Sequence, residues 1–122
     1  YVEAALLRSS GIAGELLVLG ITPQELYGSI AAYNVVQTVA SYTYAAQLAA
    51  CGPVRVHIKV DTGMSRLGLY CHTLDDVERT ASEIERIAAL PGLKVEGIFT
   101  HFAESDAPQS DFTHRPFGVF SA

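Results

Sequence analysis

The sequence predicts an α/β fold: an incomplete (β/α)8 TIM-type barrel of about four parallel strands with intervening helices. Three observations predict it. Short apolar or β-branched runs alternate with helical stretches along the whole chain, the pattern of βαβ units with right-handed crossovers. The segment Val54 to Val60 alternates strictly, with Val54, Val56, Ile58 and Val60 on one face and Arg55, His57 and Lys59 on the other. A strand covered by helices on both faces of an open sheet should be apolar throughout; a polar row fits a barrel lumen, whose C-terminal rim serves ligands. Finally, 122 residues amount to about half of the ~250 that a closed barrel takes, so residues 1–122 read as one partial barrel domain.

Each element has a local cause. Val2 to Ser10 has helical character and is broken by Gly11 and Gly14, and the apolar run from Glu15 to Gly20 fits a buried strand. Thr22, Pro23 and Glu25 read as a capping box with proline at the first helical position, opening a helix towards Tyr33. Val35 to Ala40 is short and β-branched, a second strand, and Tyr42 to Cys51 is an alanine-rich helix stopped by Gly52 and Pro53. Val54 to Val60 is the third strand. From Thr73, Leu74, Val77, Ala81, Ile84 and Ala88 recur at helical spacing until Pro91 and Gly92, and Leu93 to Thr100 is the fourth strand.

Composition narrows the function classes. A net charge of −5 with only 8 Lys+Arg offers no basic patch for nucleic acid or an anionic membrane. No apolar run approaches the ~20 residues of a membrane span. Cys51 and Cys71 stand far apart without a paired motif, so they read as buried free thiols suited to a reducing cytoplasm. The opening residues look like the interior of a helix rather than an initiator or signal segment, which leads us to expect sequence upstream.

The densest set of chemistry-bearing residues follows the third strand: His57, Lys59, Asp61, Gly63, Arg66 and Gly68. Lys59 and Asp61 share a strand face and Arg66 follows a turn, so a cation, an anion and a forked donor can converge there. A structural ion pair beneath a loop is the plainer alternative, since an inward charge must be paired. His101 closes the fourth strand, either as a hydrogen-bonded core histidine or as a flat ring against a planar ligand. Asp61, Thr62 and Gly63 also spell the signature of aspartic proteases, but that fold is all-β. His57, His72, His101 and His114 lack metal-ligand spacing, so no metal is expected. Tyr27, Tyr33, Tyr42 and Tyr44 read as helix-packing residues.

At the two strand ends the chain resembles the alanine racemases. The stretch from His57 through Lys59, Asp61, Thr62, Gly63, Met64 and Arg66 to Gly68 is similar to their fifth-strand segment. Val95 to Ala103, with Thr100, His101 and Phe102, is similar to their sixth, while Leu16 to Gly20 and Gln37 to Val39 resemble the third and fourth. The resemblance covers essentially the whole chain, except that Pro116 and Gly118 would interrupt the family helix after Asp111.

This resemblance implies pyridoxal 5'-phosphate chemistry that interconverts L- and D-alanine, supplies D-alanine for peptidoglycan and runs in a cytoplasmic homodimer. A serine racemase of the vancomycin-resistance type, a non-catalytic pyridoxal-phosphate-binding barrel and an inactive fragment are the alternatives. It further implies that Arg66 donates to the cofactor's phenolic oxygen, that His101 stacks on its ring, that Lys59 is carbamylated to hold Arg66, and that Leu19 lines the pocket. The cofactor-bearing lysine, the tyrosine that serves as opposite base and the main phosphate-binding segment have no counterpart within these residues. Lys94, at the wrong end of its strand, is no substitute. Neither catalytic base is therefore expected in this chain, and the isolated chain is expected to be inactive.

Overall fold

The computed structural model describes residues 1–104, 106 and 111–122. The helices are α1 (Val2–Ser9), α2 (Tyr27–Ala32), α3 (Tyr42–Ala49), α4 (Val77–Ala88) and α5 (Asp111–Ser121), and the strands are β1 (Leu17–Val18), β2 (Val36–Val39), β3 (Val54–Asp61), β4 (Leu69–Tyr70) and β5 (Leu93–Thr100). Every pairing is parallel, in the spatial order β1, β2, β3, β5. The four predicted strands are thus present, with β1 and β2 shorter than their apolar runs. The two-residue β4 is an addition: β5 takes one edge of β3, so β4 takes the other, at Val60 and Asp61, beyond the last β2 pair at Ile58.

Alternation in β3 sorts its side chains as expected. Val54, Val56, Ile58 and Val60 are all buried. The first three pack with Tyr27, Ile30, Val39, Tyr44, Leu48 and Ile87 beneath the helices, and this apolar layer supplies the main burial free energy. Of the tyrosines, Tyr27 and Tyr44 meet edge to face at 5.7 Å, and Tyr42 lies under the Arg86 guanidinium, 4.4 Å from the ring centroid. The opposite row of β3 faces Lys94, Gly97 and Phe99 on β5, because Arg55, His57 and Lys59 are their register partners.

Three expectations are corrected. Thr22 does not cap a helix: its hydroxyl donates to Gln37 Oε1 at 2.6 Å, and a short 3-10 turn at Gln24–Leu26 precedes α2 instead. A buried glutamine amide demanded that hydroxyl, which local spacing cannot reveal. The working capping box is Thr73 with Asp76. Second, Cys51 is exposed; only Cys71 is buried, and both are free. Third, Pro116 does not interrupt α5, which runs through it. Proline in a helix interior costs about 3 kcal/mol; here Pro116 is itself buried, and Val119 and Phe120 anchor the helix on Val60 and Cys71.

The N-terminal end of the strands is closed by ionic contacts. Arg55 pairs with Glu96 at 2.7 Å and also bonds Glu15 and Asn34. Glu96 is the extra residue of a β-bulge between the Val56 and His57 pairs. It also takes Lys94 Nζ at 2.7 Å, and its carboxyl is held down to about 2 by hydrogen bonds from Arg55 and then Lys94.

Candidate active site

At the other end of the strands a cleft of about 490 Å³ is lined by Leu19, Gly20, Lys59, Arg66, Leu67, Phe99 and His101. It gathers all four singled-out positions, Leu19, Lys59, Arg66 and His101, from three separate stretches of chain. Leu19 follows β1 and is 61% exposed, so a leucine is presented to the cleft rather than to the core. His101 follows β5, and Arg66 stands in the turn between β3 and β4. Neither Arg66 nor His101 hydrogen-bonds another described residue. A forked cation and an imidazole thus line the opening, beside apolar walls from Leu19, Leu67 and Phe99.

Lys59 is 6% exposed and makes no hydrogen bond or ion pair among the described residues. Its Nζ lies 5.6 Å from the centroid of Phe99. Burial pushes its pKa down, the Arg66 guanidinium pushes it further, and Asp61 only partly opposes them. The expected convergence of cation, anion and fork is therefore incomplete, because the Asp61 carboxylate is committed elsewhere. Asp61 accepts from Ser65 N–H at 2.9 Å and Gly63 N–H at 3.2 Å, and its other oxygen meets His72 Nε2 at 3.0 Å. Burial alone would raise its pKa, but the bonds from His72 and the two amides outweigh burial and hold it below the usual range. Asp61 ties down the turn that carries Arg66; it does not neutralise Lys59.

A pH dependence follows. Because the folded-state pKa of Asp61 is depressed, its stabilising contribution is complete above the usual carboxylate range, about 4. It is lost as pH falls through the lower folded value. Thermal melts from pH 7 to 2.5 should show this as an acid-side slope that flattens in Asp61→Asn; parallel slopes would contradict the assignment.

Two glycines fix this region by close approach. A Cβ on Gly68 would lie 2.6 Å from the Asp61 backbone nitrogen, and the residue has φ +138. A Cβ on Gly97 would lie 2.8 Å from the His57 ring, which occupies that space and reaches towards Phe99, 6.4 Å away between centroids. Gly20, Leu67 and Phe99 were not singled out from the sequence as lining residues. The register partnership of Lys59 with Phe99 could have found Phe99 had the strand pairing been known. Lys94 points to the opposite end, where it is 76% exposed on Glu96.

Comparison with known proteins is consistent with this geometry. The sequence matches the family described as "Alanine racemase, N-terminal domain" over residues 1–122, which includes α5 to its end. It is 38% identical to alanine racemase 1 of Clostridium acetobutylicum, over 97% of this chain and 31% of that protein. With the alanine racemase of Desulforamulus reducens it shares 40%, over 97% of this chain and 32% of the relative. The chain thus spans about a third of the length of these relatives. The fold superposes on alanine racemase from Clostridium difficile 630, in a complex with cycloserine, with a TM-score of 0.89 at 29% identity, covering 98% of this chain and 33% of that one. A histidine racemase from Leuconostoc mesenteroides matches with a TM-score of 0.80 at 27% identity, over 99% of this chain and 32% of that one. With the family match running from the first residue to the last, the chain belongs to the alanine racemase N-terminal domain family.

Proposed function

We propose that these residues form part of the cofactor site of a pyridoxal-phosphate-dependent alanine racemase, an isomerase that interconverts L- and D-alanine and supplies D-alanine for peptidoglycan. The observation that carries this reading is the single cleft holding Leu19, Lys59, Arg66 and His101. Its donor set suits a flat aromatic ring with an anionic oxygen: a planar fork, an imidazole face and apolar walls. When bound, pyridoxal phosphate supplies the electron sink that acidifies the hydrogen on the amino acid's α-carbon.

In this reading Arg66 donates to the ring oxygen, His101 packs its imidazole on the ring, and Leu19 shields one side from water. Lys59 is carbamylated. The modification needs a neutral amine, and burial together with Arg66 lowers the lysine pKa towards that form. The product carries an anionic, two-oxygen head that can grip the guanidinium of Arg66 bidentately. The cofactor-bearing lysine and the opposite tyrosine base are read as parts of the complete protein outside residues 1–122, and the protein as a homodimer. The free thiols of Cys51 and Cys71 support a reducing, cytoplasmic setting.

The test uses the complete protein. It should bind pyridoxal phosphate with a visible absorbance band and racemise L-alanine at least about tenfold faster than L-serine or L-histidine, about 1.4 kcal/mol of discrimination. Failure to bind the cofactor would end the reading, and a preference for serine or histidine would reassign the substrate.

A further inference from the structure

We propose that Phe99 is a positioning residue that parks the unmodified Lys59 ammonium on its ring face, so that carbamylation moves the side chain from Phe99 to Arg66. The inference deepens the reading of Lys59 given above and rests on it.

Its basis is the placement of four groups around one amine. Lys59 and Phe99 are register partners on adjacent parallel strands, and Nζ lies 5.6 Å from the ring centroid, inside the ~6 Å within which an aromatic face attracts a cation. The charged groups that bear on this amine are Arg66, which repels it, and Asp61, whose carboxylate is held by His72 and two backbone amides. His101 lines the same cleft, and His57 stands two residues before Lys59 with its ring near Phe99. No hydrogen-bond acceptor among the described residues takes the ammonium. Among the described residues, the Phe99 face gives the amine a favourable contact beside the partial attraction of Asp61.

The ring and the guanidinium prefer opposite charges. An ammonium is drawn to the negative face of Phe99 and driven from Arg66. In carbamylation the lone pair of the neutral amine attacks the carbon of carbon dioxide, and one carbon–oxygen π pair moves onto oxygen. The nitrogen then loses a proton to water, leaving an N-carboxylate of charge −1. That anion is repelled by the ring face and attracted by Arg66. One side chain therefore has two destinations, selected by its chemical state. Gly97 contributes by leaving room for the His57 ring beside Phe99, since any Cβ there would collide with it.

The experiment measures Lys59 directly in the complete protein, with lysine labelled with carbon-13 at Cε and the signal assigned by its loss in Lys59→Met. In carbon-dioxide-free buffer, Phe99→Leu, which keeps an apolar side chain of similar bulk, should lower the Lys59 pKa by about 0.5–1 unit. Phe99→Tyr, which keeps the ring face, should leave it within about 0.2 unit of wild type. On adding labelled bicarbonate near neutral pH, Phe99→Leu should need roughly threefold to tenfold less carbon dioxide for half-carbamylation, matching its pKa change. An unchanged or raised pKa in Phe99→Leu, or a Tyr variant that behaves like Leu, would overturn the parking role. Absence of a carbamate signal in all three proteins would instead refute the carbamylation of Lys59 and with it the switch.

Discussion

In the complete protein, Arg66→Lys is expected to reduce alanine racemisation by tenfold to a hundredfold although the positive charge is kept. A guanidinium is a rigid planar fork that can meet a cofactor oxygen on one side and the modified Lys59 on the other; an ammonium is a flexible point donor. Losing one aligned hydrogen bond between charged groups costs about 1.5–3 kcal/mol, on the order of tenfold to a hundredfold when expressed in the transition state. Arg66 is exposed and its side chain hydrogen-bonds no other described residue, so the melting temperature should hardly move. Steady-state rates and a thermal melt on the same preparation make the check. Activity within twofold of wild type, or a loss that tracks unfolding, would remove Arg66 from the proposed role.

Gly68→Ala is expected to be among the most destabilising single substitutions in the chain. A methyl group there meets backbone, not a side chain that can swing away: the Asp61 nitrogen at 2.6 Å and the Val60 carbonyl carbon at 2.8 Å. The φ of +138 adds strain of about 1–3 kcal/mol for any residue with a Cβ, and relieving the overlap by moving the end of β3 costs about as much again. Asp61 and Lys59 sit on that strand end, so the turn bearing Arg66 should shift with it. A large drop in melting temperature together with weaker cofactor binding is the expected outcome; a variant as stable as wild type would show that the turn is not built as described. By contrast, a Cβ on Gly28 would meet nothing within 4 Å, which makes Gly28→Ala a suitable control.

The sequence alone determined the order of β1, β2, β3 and β5 and the helices between them, the parallel sheet and the two faces of β3. These follow from periodicity, which local steric preferences and burial of one face enforce. It also placed Lys59, Arg66 and His101 at strand ends, because motifs anchored to a strand terminus inherit its position at the rim. Other features depend on partners distant in the chain. Thr22 left its apparent capping role because Gln37, buried on the next strand, needed a partner. Asp61 left Lys59 because His72 and the turn amides reached it first. Pro116 stayed helical because the packing of Val119 and Phe120 outweighs a missing hydrogen bond. Phe99 became the neighbour of Lys59 only through the β3–β5 register, in which Glu96 is the bulged extra residue. Period and motif are properties of a few adjacent residues; the contest for each buried donor and acceptor is settled only when the strands and helices come together.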